Sequence, residues 1–408
     1  MNTPDLGPAE HLRVRAARRA VAIIFFVNGF IFASWVPHIP TVQARLGIGP
    51  GLLGLALLGS AAGALVAMPL AGILVARWGS RRVTLGSALL FCLVAVLPVQ
   101  SSRLSLLTLA LFAFGAANGT MNVAMNAHGV TVAKRLDRPI MSSLHALFSI
   151  GGLVGASGSI LFLSAGFPPL LHMGGAIMLG LLLVGGVWRF LLPSSTGPTE
   201  RTGPTFALPR GPLLLLGLMG FFTLMVEGAM GDWSAVYLRR MLKTGSGLSG
   251  VGYTLFSMAM AVGRLTGDRL VIALGPVTLL RAGGTLATCG LVTLGVALPL
   301  HHPAAALVGF SCVGLGLSNI TPLLYLAAGR TPGFSPGTSI SAVITAGYGG
   351  VMAGPPLVGF VTHRMGMPVA LGLLAIFLAF TAVSASFVRS LSPSKAGQSR
   401  SQHRGDRP

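Results

Sequence analysis

Two stretches lying 198 residues apart decide how this chain is built: SWVPHIPTVQARLGIGPGLLG, residues 34–54, and DWSAVYLRRMLKTGSGLSGVG, residues 232–252. Trp35 falls on Trp233 and Gly54 on Gly252. Two more matches keep nearly the same offset. FGAAN at 114–118 meets LGLSN at 315–319, setting Asn118 on Asn319 at an offset of 201, and SIGGLVGA at 149–156 meets GYGGVMAG at 347–354, setting Ile150 on Tyr348 at 198. Constant order and spacing make the chain a duplication of one unit.

The unit is a set of membrane helices. Of 408 residues, 53% are apolar and 9% charged, against about 25% charged in a soluble domain, so the chain cannot coat a water-facing surface. Apolar runs of about 20 residues read as spans. They fall at 18–38, 51–76, 82–100, 104–130, 140–165, 169–192, 212–238, 247–273, 277–299, 303–329, 337–363 and 367–390. The expected fold is an all-α integral membrane protein of twelve transmembrane helices in two pseudo-symmetric six-helix halves, 18–192 and 212–390. A tail at 1–17 precedes them, the Pro/Gly/Ser/Thr-rich segment 193–211 links them, and residues 391–408 read as a disordered tail.

The net charge of +20 does not point to nucleic acid, because its distribution follows topology. The even-numbered connections and both ends hold 21 of the Lys and Arg residues and the odd-numbered connections 6, with Arg264 inside a span. Positive residues stay on the cytoplasmic side, so both termini are expected in the cytoplasm. Anionic lipid head groups are secondary partners of the basic loops. Cys92, Cys289 and Cys312 have no disulfide or metal spacing. Gly245, Gly247 and Gly250 spell a dinucleotide string but precede a membrane helix instead of following a strand. No enzyme motif, cofactor site or metal cluster is expected.

GILVARWGSRR, residues 72–82, ends the second span with a glycine turn and arginines. It resembles the loop signature of the major facilitator superfamily, GxLxDRxGRR: Gly72, Arg77, Gly79, Arg81 and Arg82 fit, while Ala76 replaces the aspartate and Ser80 a basic residue. In the second half GRLTGDRLVIALGP, 263–276, carries Arg264, Asp268 and Arg269 as a variant of that loop. The runs 122–156, 226–233 and 353–360 are similar to the bacterial branch related to fucose permeases. That resemblance implies alternating-access transport of a small polar solute such as a sugar across the bacterial inner membrane, with protons as coupling ion and a monomeric unit. Asn122 stands where those permeases carry a coupling glutamate, and Trp35 where they carry an aspartate. The other readings are an efflux antiporter for hydrophobic or cationic compounds and a non-transporting sensor or scaffold.

The remaining acids direct attention to FFTLMVEGAMGDW, 221–233. Counted from Pro212 at about 1.5 Å per residue, Glu227 lies roughly 22 Å into the seventh span and Asp232 roughly 30 Å, at the outer surface. A carboxylate at the depth of Glu227 is stable only when paired or protonated, as a proton-coupling group must be. His145, one turn from Ser149 in the fifth span, is a second proton-coupling candidate. Candidate cavity residues are Asn28, Trp35, the stripe Asn118, Asn122 and Asn126, Ser149, Asn319 and Tyr348. His128, near the cytoplasmic end, is expected to be solvated. The glycine pairs Gly59/Gly63, Gly115/Gly119, Gly151/Gly155 and Gly350/Gly354 mark close helix packing.

Overall fold

Proline opens most of the long helices and glycine closes several of them. The structure, a computed structural model, describes residues 8–136, 140–193, 209–245, 248–331 and 336–390. Most of the expected linker and the whole C-terminal tail lie outside them.

The first half holds α1 (Pro8–Trp35), α2 (Ile39–Leu46), α3 (Pro50–Trp78), α4 (Ser80–Val94), α5 (Leu97–Gln100), α6 (Leu104–Leu136), α7 (Met141–Ser164) and α8 (Pro169–Val187). The second holds α9 (Pro212–Val236), α10 (Val251–Leu274), α11 (Pro276–Ala297), α12 (Pro303–Leu317), α13 (Ile320–Gly329), α14 (Pro336–Met365), α15 (Met367–Val383) and α16 (Phe387–Ser390). A proline at the first helical position presets φ and gives up an N–H that would have had no partner.

Gly79 (φ 79°) and Gly275 (φ 77°) end α3 and α10 in the same way, each donating its N–H to the carbonyl four residues back, Val75 and Val271. Gly366 (φ 88°) repeats the device after α14, and Gly166 (φ 78°) turns the chain after α7 with its N–H on the carbonyl of Leu163, three residues back. This left-handed conformation costs glycine little and other residues more. The duplication seen in the sequence is therefore repeated in the turns.

Two expected spans are broken. The span 303–329 stops at Leu317 and resumes at Ile320, because Pro322 has no N–H for the carbonyl of Ser318. Pro98 has the same effect on the carbonyl of Val94, where α4 gives way to α5. Counting broken helices once, eleven candidate spans among the described residues are long and apolar enough to cross a membrane. The helix expected at 247–273 is present as α10 but is not one of the eleven; Ser257, Arg264, Thr266 and Arg269 dilute its apolar character. Helix α1 begins at Pro8, ahead of the expected span, as an amphipathic entry: Val14, Ala17 and Val21 are buried while Arg13, Arg15, Arg18 and Arg19 are exposed.

Pairwise packing is also duplicated. α1 packs on α7 as α9 packs on α14, and α4 on α6 as α11 on α12. The halves meet through α3 against α14 and α7 against α10, near the end away from the termini. There a side chain on Gly54 would strike the carbonyl of Pro355, and one on Gly250 would meet Ile160 and Pro37. Outward faces stay apolar, with Ile272 86% and Val383 78% exposed. This suits a lipid boundary better than water.

Within each half the glycine pairs set the helix spacing: a Cβ on Gly151 would overlap the carbonyl of Phe26 in α1, and one on Gly350 that of Phe221 in α9. Gly350→Val is expected to destabilise the detergent-purified protein by about 1–3 kcal/mol or more. Gly372→Ala, where a Cβ meets nothing within 4 Å, is expected to be neutral or stabilising by up to about 1 kcal/mol. Thermal unfolding of the two variants checks the contrast.

Candidate functional site

Six helical faces and one broken helix enclose a cavity of about 540 Å³ between the halves, within the size range of ligand pockets. From the first half α1 contributes Gly29 and Phe32, α6 contributes Asn122, Met125 and Asn126, and α7 contributes His145, Phe148, Ser149 and Gly152. From the second half α9 supplies Leu224, Glu227, Gly228 and Gly231, and α10 supplies Tyr253, Phe256, Ser257, Met260 and Arg264. α13 adds Thr321 and Tyr325, and α14 adds Ile344, Tyr348 and Val351. Each set recurs at three- and four-residue steps, so each helix turns one face to the cavity.

The cavity holds an ion pair. Arg264 Nη2 donates to Glu227 Oε1 at 3.3 Å, with the two side chains 31% and 29% exposed. The first half answers with polar groups. Asn126 Nδ2 donates to the Asn122 carbonyl at 2.8 Å and to its side-chain oxygen at 3.2 Å. Ser149 Oγ donates to the His145 carbonyl at 3.2 Å. The His145 ring stands edge-on to Phe25, centroids 5.2 Å apart. Thr321 Oγ1 is buried without a hydrogen-bond partner.

Both residues singled out for proton coupling, Glu227 and His145, line this cavity, as do Asn122, Asn126, Ser149 and Tyr348. The structure does not bring the other candidates there. Asn28 is fully buried between helices and donates to Asn118 Oδ1 at 2.8 Å. Steps of four residues advance the stripe on α6 by about 40° each, so Asn118 turns to α1 while Asn122 and Asn126 face the cavity. Trp35 is buried in the core. Asn319 sits at the break between α12 and α13, its Nδ2 donating to the Gly263 carbonyl at 2.9 Å and to Ser318 Oγ at 3.0 Å.

Arg264, grouped with the second-half loop from sequence, stands well inside α10. The turn that repeats Gly79 is at Gly275, so Arg264 belongs to the cavity and Arg269 to the exposed side of the helix. In the first-half loop Arg77 is exposed, Arg81 donates to the Trp188 carbonyl at 3.3 Å, and Ser80 Oγ lies 2.9 Å from His128 Nδ1. His128 is 1% exposed, so the expected solvated role is corrected: the ring is packed behind the loop. Asp232, expected at the outer surface, is half-buried.

Sequence reasoning missed Tyr253, Ser257, Thr321 and Tyr325 as cavity residues. The spacing 253, 257, 260, 264 was the available signal, because it sets them on one face with the one basic residue inside a span. It also missed a polar cluster behind the outer contact of the halves. There His38 Nε2 lies 3.0 Å from His172 Nδ1, and Ser159 Oγ donates to the Ser34 carbonyl at 2.7 Å.

Comparison with known proteins agrees with this architecture. The model of the Major Facilitator Superfamily matches residues 21–352. An uncharacterized MFS-type transporter of Yersinia pestis is 37% identical over 90% of this chain and 94% of its own length. Membrane protein MosC of Rhizobium meliloti is 33% identical over 86% of this chain and 85% of its own. Among solved structures, a point mutant of the nucleoside transporter NupG superposes with a TM-score of 0.73 at 12% identity, covering 92% of this chain and 99% of that one. A D-xylose-proton symporter gives 0.72 at 12% identity, covering 93% and 98%. Repeated helical halves around a central polar cavity, together with these matches, make the chain a multi-pass membrane transporter of the Major Facilitator Superfamily.

Proposed function

We propose that the chain is a proton-coupled secondary transporter that carries a small polar solute across the bacterial cytoplasmic membrane, with both termini in the cytoplasm. The observation that carries this reading is the Glu227–Arg264 pair facing the cavity between the halves. A carboxylate in such a place is costly unless paired or protonated, so exchanging its partner for a proton changes the charge of the cavity in a controlled step.

The halves are in contact at the end away from the termini. In alternating access the same two surfaces rock about the central site, so each side of the membrane reaches it in turn. With the outer contact closed, the cavity belongs to a state facing the cytoplasm. Export of lipophilic cations would use an unopposed acid in an apolar pocket; here Glu227 has a guanidinium partner and polar neighbours from both halves.

Glu227→Gln, reconstituted in liposomes, is expected to lose accumulation driven by a pH gradient and to keep counterflow of the same solute. Accumulation equal to that of the unmodified protein contradicts the assignment. Asn28→Ala and Asn122→Ala separate glue from site. The first is expected to lower stability by roughly 1 kcal/mol without changing solute affinity. The second is expected to weaken affinity several-fold with little change in unfolding temperature.

A further inference from the structure

The two charges in the cavity are not equivalent, and the difference points to the charge of the solute. A guanidinium cannot give up its proton under any condition a protein experiences, whereas a carboxylate can gain one. The pair can be opened in two ways. A cationic guest would take Glu227 and leave Arg264 without a counter-charge, and no titration of the cavity removes that excess. An anionic guest would take Arg264 and leave Glu227, whose charge a single proton cancels. A neutral guest leaves the pair closed and gains nothing from a proton.

The surroundings favour the second route. The ion pair uses one N–H of Arg264 and one oxygen of Glu227, so further guanidinium N–H groups remain for a planar oxyanion, the geometry in which arginine binds best. The titratable and charged groups facing the cavity around Glu227 are Tyr253 and Arg264 on α10, Tyr325 on α13, Tyr348 on α14 and His145 on α7. Asp232 lies on the same helix as Glu227, outside the lining. Among the described residues the cavity therefore has one permanent cation, one carboxylate, the His145 imidazole and neutral hydroxyl donors.

We propose that the solute carries an acid group, a carboxylate or other small oxyanion, that displaces Glu227 from Arg264 as Glu227 takes a proton from water. This deepens the transport reading and rests on it. The Arg264 Nη2–H···Oε1 hydrogen bond breaks, an arginine N–H bonds to the oxyanion of the guest, and the new O–H on Glu227 restores the charge of the empty cavity. One proton then enters with each monovalent anion, so co-transport is electroneutral. In this role Arg264 determines specificity and Glu227 reports occupancy.

The test is binding to the detergent-purified full-length protein of matched acid, neutral and amine compounds: D-glucuronate, D-glucose and D-glucosamine, with lactate, glycerol and ethanolamine. Thermal stabilisation selects the binders. Titration calorimetry in two buffers of different ionisation enthalpy then counts protons. The expected result is that an acid binds with uptake of about one proton at neutral pH and loses affinity about tenfold per pH unit as pH rises. In Glu227→Gln the acid is expected to bind with no proton uptake and no such pH dependence, and in Arg264→Gln to bind at least tenfold more weakly. Arg264→Lys, which keeps the charge, guards against loss of fold and is expected to retain part of the affinity. Binding of only neutral or amine members, binding of an acid without proton uptake, or no binding of any acid overturns the proposal. Flux separates this result from the broader reading: transport of a neutral member leaves the transporter standing and removes the acid-group inference, while proton-linked acid binding without flux does the reverse.

Discussion

An arginine inside a membrane helix keeps its charge at every pH, so the protein must keep an anion beside it. Arg264 meets that demand with Glu227 at 3.3 Å, and much of the site follows from this requirement. The pair joins α9 to α10 within the second half and places a breakable interaction on the wall of the cavity between the halves. In hydrocarbon the cost of stranding either member is several kcal/mol, which makes the pair a constraint on the fold.

The scaffold around it is a matter of backbone approach. Glycines let α1 lie on α7 and α9 on α14 with no room for a side chain between them. The same small-residue contact joins α3 to α14 where the halves touch. Small residues at helix contacts are the usual solution in lipid, where apolar side chains gain little by leaving one hydrocarbon for another. Packing of this kind gives each half a close backbone frame, and the halves meet through α3 on α14 and α7 on α10.

The repeat, the spans and the glycine contacts were legible because periodicity and offset depend only on residue order. Glu227 was legible because an acid in an apolar run is conspicuous. What the sequence did not reveal was azimuth. The stripe Asn118, Asn122 and Asn126 reads as one surface, yet about 40° of drift per step turns its first member away to Asn28. The displacement of Arg264 from loop to cavity has a similar origin, since matching the motif residues gave it a place near a turn that the backbone makes only at Gly275. Tyr253, Ser257 and Tyr325 are ordinary membrane-helix residues until the neighbouring helices show which side faces the cavity.

Alternating access requires the cavity holding Glu227 and Arg264 to open in turn to the two sides of the membrane. Single cysteines at Asn126 and Ser149, with Cys92, Cys289 and Cys312 replaced by alanine, address it directly through reaction with a membrane-impermeant maleimide in right-side-out and inside-out vesicles. Fast labelling from the side of the termini is expected in the resting protein, with a shift toward labelling from the opposite side when a transported solute and a pH gradient are present. Labelling from neither side under either condition would contradict it.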